Sequence, residues 1–113
     1  MADDIMLRAR ALVLHDLSAR DMDTAAAVDV LEHALVARRW WIEQWPEGAP
    51  FLAGLIAQDV QEHLLDNAVG RWPRCTACDE IKHHDLRIRP DLGPDPHWVC
   101  EESGIRVAAL GAL

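Results

Sequence analysis

All three cysteines and three of the six histidines of this 113-residue chain fall between Cys75 and Cys100. Thiolate sulfur and imidazole nitrogen at such close spacing form the donor set of a tetrahedral zinc site. Cys75 and Cys78 make a CxxC pair, which delivers two thiolates from one tight turn with backbone N–H groups aimed at the sulfurs. Cys100 supplies a third sulfur. The fourth ligand is open between two arrangements. In one, His97 and Cys100 form an HxxC pair with 18 residues between Cys78 and His97. In the other, His84 or His83 joins Cys100, and Cys100–Gly104 is a CxxCG knuckle in which Ser103 stands where a second cysteine would be.

Trp72 and Pro73 precede the CxxC pair, His84 and Leu86 follow it as histidine-x-leucine, and Trp98, Cys100 and Gly104 close the run. This stretch, about the last third of the chain, resembles a degenerate zinc ribbon. It is also similar to a pattern in small uncharacterised actinobacterial proteins. The resemblance implies Cys75, Cys78, His84 and Cys100 as ligands of a structural Zn2+, with His97 or His83 as the alternative fourth.

Other chemistries have less support. A redox CxxC needs a helix N-terminus to lower the pKa of its first thiol, whereas Cys78 runs into Asp79, Glu80 and an expected strand. A catalytic zinc needs an open coordination position with an acid or base nearby, and Glu101 and Glu102 read instead as solvated carboxylates beside a knuckle. Ser18 and Ser103 are the only serines, neither has an evident base, and no glycine-rich phosphate loop is present. The chain is not expected to be an enzyme.

The elements that must hold this cluster begin with helices. A first helix is expected over residues 4–16, capped by Asp3 or Asp4 and carrying Ile5, Leu12 and Leu14. After a polar turn, Asp21 or Asp23 can cap a second helix running to about Trp45. Its seam is Val28, Leu31, Leu35, Ile42 and Trp45, interrupted by Arg38. Pro46–Pro50 is a compact breaker, and Pro50 suits the first position of a third helix that turns Leu52, Ile56, Val60 and Leu64 inward and stops at Gly70. Asp29 and His33 recur as Asp59 and His63 in the third helix, and the helical wheel reads them as a solvated face rather than a second metal site.

Beyond Gly70 the apolar period shortens from helix to strand. Leu86–Arg89 alternates, Pro90–Pro96 is a loop, and Trp98–Cys100 and Ile105–Leu110 can form two further strands. The apolar tail Leu110–Leu113 must dock on the helices or meet a partner. The fold class is therefore α+β: an N-terminal three-helix region over 1–70 with an αα-hairpin, then a zinc-ribbon-like β element over 71–113, packed together as one compact unit.

The formal charge is -8. Residues 1–70 hold 5 basic and 12 acidic side chains, a balance that repels phosphate backbones and anionic membranes. No apolar run reaches the length of a membrane span, and the N-terminus lacks a signal-peptide pattern, so a cytoplasmic protein with reduced thiols is expected. Trp40 and Val36 project away from the seam of the second helix, and a large ring on a polar face marks a partner-binding surface. The leading reading is a small zinc-binding adaptor or accessory factor with a protein partner, and homo-oligomerisation through the same surfaces fits it. The alternative is a nucleic-acid-associated regulator using a basic strip of Lys82, Arg87, Arg89 and Arg106 on the ribbon.

Overall fold

The computed structural model describes residues 2–78 and 84–113. Three helices, α1 (Ala2–Ala19), α2 (Ala25–Gln44) and α3 (Ala49–Asp66), precede three short strands, β1 (Arg87–Arg89), β2 (His97–Val99) and β3 (Arg106–Ala109). The fold is α+β. The helices pack pairwise, and the strands form an antiparallel meander in the order β1-β2-β3, with β1 lying against α3. Arg87 faces Val99 and Arg89 faces His97, while a register shift at Trp98 and Val99 bends β2 against β3.

Local chemistry explains where the helices stop. In α1 the N–H of Met22 returns to the carbonyl of Leu17 at 2.8 Å and that of Asp21 to Ser18 at 3.1 Å, with Asp21 at φ 55. That is a Schellman stop with Asp21 in the left-handed position, which short polar side chains tolerate. Asp21 thus ends α1, which runs longer than the expected 4–16, and Thr24 rather than Asp21 or Asp23 caps α2. Its Oγ1 accepts from the N–H of Ala27 at 3.2 Å. A second Schellman stop closes α3: Val69 N–H returns to the Leu64 carbonyl at 2.9 Å and Ala68, at φ 56, takes the left-handed position expected of Gly70.

The apolar seams meet as expected in α3, where Leu52, Ile56, Val60 and Leu64 are all fully buried. In α2, Leu31, Leu35 and Ile42 are buried, and the small residues Ala27 and Ala34 join them. Trp45 departs from that seam because the helix has ended at Gln44. It lies partly exposed, edge-on to Trp41 with ring centroids 5.3 Å apart, over Gly48 where a Cβ would stand 2.7 Å from its ring. Arg38, the break in the seam, is answered by Asp59 of α3 through two hydrogen bonds of 2.6 and 2.9 Å. This pair ties α2 to α3.

One apolar cluster runs from the helices into the strands, joining Val13, Leu17, Leu31 and Ile56 to Trp72, Leu86, Ile88 and Trp98. Trp72 and Trp98 stack edge to face with centroids 5.1 Å apart, each burying an area that dominates so small a core. Where they meet α1 sits Asp16, a fully buried acidic residue at the expected end of the first helix. Its carboxyl oxygens accept from Trp98 Nε1 at 2.8 Å, Gly111 N–H at 2.7 Å and Leu113 N–H at 3.0 Å, while its backbone carbonyl accepts from Trp72 Nε1 at 3.1 Å. The tail therefore docks on α1, close enough that a Cβ on Gly111 would fall 2.3 Å from the side chain of Leu12.

Candidate metal centre

A short ladder brings the CxxC turn to its histidine. The N–H of Cys75 donates to the carbonyl of His84 at 2.9 Å and that of Leu86 to the carbonyl of Pro73 at 2.8 Å, with Arg74 opposite Asp85 between them. The strand feeding the turn thus runs antiparallel to the strand leading into β1. Gln61 of α3, itself buried, fixes both sides of this ladder. Its Nε2 donates to the carbonyls of Trp72 at 3.0 Å and Leu86 at 2.7 Å, and its Oε1 accepts from Arg87 at 3.0 Å. An amide suits the place because it donates twice and accepts once without bringing a charge into the core.

Cys100 arrives from the other side, at the end of β2. Its N–H donates to the carbonyl of Ile105 at 2.8 Å, its carbonyl accepts from Gly104 N–H at 2.7 Å, and Gly104 turns the chain at φ 79. The loop has a knuckle's hydrogen bonds without a second cysteine. Ser103 acts on the sulfur instead. A hydrogen bond with the Ser103 side chain is the main influence pulling the Cys100 thiol from 9.0 down to about 6; the Ser103 backbone, His84 and Cys75 add to it, and burial opposes it. A thiol so placed is biased toward the thiolate, the form that binds metal.

The donor atoms of Cys75, Cys78, His84 and Cys100 all lie within 4.8 Å of one another. Cys75 and Cys78 sulfurs are 3.8 Å apart, and His84 Nε2 is 3.4 Å from Cys78 Sγ and 3.3 Å from Cys100 Sγ. Zinc bonds of about 2.3 Å to sulfur and about 2.0 Å to nitrogen place tetrahedral ligands about 3.5–3.8 Å apart. Those spacings fit a Cys3His site for a metal ion and are compatible with zinc. Cys100 is buried and the other three are half-buried, so the cluster sits just below the surface.

His97 is not part of it. Alternation along β2 turns Trp98 and Cys100 inward and leaves His97 half-buried on the other side, where its Nδ1 lies 2.8 Å from the carbonyl of Asp95. His83, the other alternative ligand, and Lys82 of the basic strip lie outside the described residues. Within the rest of that strip, Arg89 is held by Asp91 at 2.6 Å and Glu101 at 2.5 Å and Arg87 is turned to Gln61, which leaves Arg106 exposed at the sheet's far edge. The Asp–His repeat builds no metal cluster among the described residues: Asp59 is taken by Arg38, and Asp29 and His33 face each other at 3.7 Å in solvent.

Trp40 and Val36 are exposed, at 68% and 73%. Sequence reasoning did not reach their neighbour Leu7 on α1, nor Asp16 and Gln61. For Asp16 a signal was present: it stands three residues after Val13 and seven after Ala9, so its carboxyl lies on the core stripe of its own helix. Gln61 sits one position beyond Val60 with nothing to distinguish it from a surface amide.

Helices and a short antiparallel meander around a Cys3His cluster define a small α+β protein whose cluster is compatible with a metal-binding module. The chain belongs to the family described as Domain of unknown function (DUF8819), whose model matches residues 2–110. No curated protein and no solved structure is significantly similar to it. The likeness to a zinc ribbon is thus carried by the Cys3His cluster and not by a family match. Among the described residues no helix is long and apolar enough to cross a membrane.

Proposed function

We propose that this chain is a small cytoplasmic zinc protein that acts without catalysis, as an adaptor or accessory factor whose metal is structural and whose outer helical face binds another protein. The convergence of four donor atoms within 4.8 Å carries the metal half of the reading. Three thiols and one imidazole around one ion leave no protein-free position for substrate, which is the pattern of a structural rather than a catalytic zinc. The partner half is supported by Val36 and Trp40, large apolar side chains that stand mostly in water among the described residues. A phosphate-binding role for the ribbon is the weaker reading, because two carboxylates already meet the charge of Arg89.

The test of the metal half is metal analysis of the purified protein beside Cys75→Ser, His84→Ala and His97→Ala. One zinc per chain is expected in the wild type and in His97→Ala, with loss in the other two. Stoichiometric zinc in His84→Ala, or its loss in His97→Ala, would reassign the fourth ligand. A metal-free wild type would remove the reading.

A further inference from the structure

Among the described residues the three most exposed large apolar side chains are Val36 at 73%, Trp40 at 68% and Leu7 at 64%, and all three stand on the outer face of α1 and α2. The two helices run antiparallel there, and two ion pairs bridge them. Asp3 meets Arg39 at 2.7 Å at one end and Arg10 meets Glu32 at 2.5 Å at the other, with Leu7 and Val36 between. A groove of about 390 Å³ runs through this frame, floored by Met6 and Leu35.

The signs of the frame alternate. Going round the apolar centre they are negative at Asp3, positive at Arg39, negative at Glu32 and positive at Arg10. A two-fold axis lying in this face, along or across the helices, lays every corner over a neighbouring corner of opposite sign and the apolar centre over itself. We propose that the occupant of this face is a second copy of the chain, docked about such a two-fold axis with Leu7 and Val36 at the centre of the contact and Trp40 at its border, just beyond Arg39. An isologous contact requires a self-complementary patch, and this frame is one. A partner presenting a surface of one sign would meet like charge at two of the four corners, which costs affinity. The four corners of the frame also sum to zero, with two acids and two bases, and even with Glu43 acting on Arg39 the face is less acidic than the rest of a chain whose formal charge is -8. Two copies therefore approach here with less repulsion than through the acidic remainder of the helices.

This inference rests on the reading of the Val36 and Trp40 face as an interaction surface, and it names the partner. Sedimentation equilibrium of the metal-loaded chain should show the apparent mass rising with concentration from 12.7 kDa toward twice that value. Val36→Glu and Trp40→Glu, each first shown to keep the helical signal of the wild type, should both weaken the dimer, Val36→Glu by about 30-fold or more, as expected for a side chain at an interface centre. A constant 12.7 kDa at every concentration, or a dimer indifferent to both substitutions, overturns the proposal. A photoreactive residue placed at position 40 in living cells separates the two levels of the reading. An adduct of twice 12.7 kDa supports the second copy. An adduct of another mass overturns the second copy and spares the interaction surface, and the absence of any adduct removes both.

Discussion

The strand end and the outer face of α1 and α2 both display tryptophan, in opposite circumstances. Trp98 is fully buried, stacked on Trp72 and hydrogen-bonded to Asp16, whereas Trp40 stands in solvent one helical turn beyond Val36. The difference shows where each region's order comes from. The helices close by apolar seams that repeat over 18 to 20 residues, long enough to define a core among themselves. The strands are only three or four residues long and cannot do so. They share the apolar cluster of the helices through Trp72, Leu86, Ile88 and Trp98 and are fastened by polar pegs, Asp16 from α1 and Gln61 from α3, with the Cys3His cluster as the place where a metal ion could add to that hold.

The largest expected effect follows from that dependence. Structural zinc contributes about 10–16 kcal/mol of apparent binding free energy in small zinc peptides, comparable to the whole stability of a domain, about 5–15 kcal/mol. Chelation should therefore expose the amides of residues 71–113 to hydrogen exchange well before those of α1, α2 and α3. Equal loss of protection in both regions would erase the distinction drawn here, and unchanged protection in the strands would show that the pegs suffice.

Asp16→Ala comes next. It strands the buried indole N–H of Trp98 together with the half-buried N–H groups of Gly111 and Leu113, and losing these three bonds at once makes a loss of about 3–5 kcal/mol the expectation. Thermal unfolding of the variant should fall by about 10–20 °C. Asp16→Asn should recover part of this, since an amide oxygen still accepts from one or two of the donors. If Asp16→Ala melts within a few degrees of the wild type, the carboxyl is not what fastens the tail and β2 to α1.

How much of this was readable from the chain divides along the same line. The α3 seam, most of the α2 seam and the β alternation were legible because burial repeats with the period of the backbone, and Leu52, Ile56, Val60 and Leu64 stand where the pattern put them; in α1 the buried stripe is instead Met6, Ala9, Val13 and Leu17, and the expected Ile5, Leu12 and Leu14 are only half-buried. That the CxxC turn, His84 and Cys100 come together was legible because ligand chemistry restricts residue type. The helix ends were not, since Asp21 and Ala68 occupy left-handed positions through hydrogen bonds that a list of preferred capping residues does not contain. Nor were the pegs. Asp16 is 82 and 97 positions from the groups it binds in Trp98 and Leu113, and a contact at that range leaves no local trace beyond a carboxyl on an apolar stripe.

The smallest expected effect is the sharpest test of the contrast between the two tryptophans. Trp98→Ala empties a closed core and unpairs Asp16, so it should cost about 3–5 kcal/mol. Trp40→Ala removes a side chain of the same size that gives up little contact with its own chain, so the stability of the isolated protomer should stay within about 0.5 kcal/mol of wild type. The comparison is made by denaturant titration at a concentration low enough to hold both proteins monomeric, because any self-association would add a concentration-dependent term. A large loss in Trp40→Ala under those conditions would mean that the ring is packed within its own protomer, and the outer helical face would no longer be available to a partner. Unchanged stability leaves the ring available for intermolecular contact, since folding of the protomer does not require it.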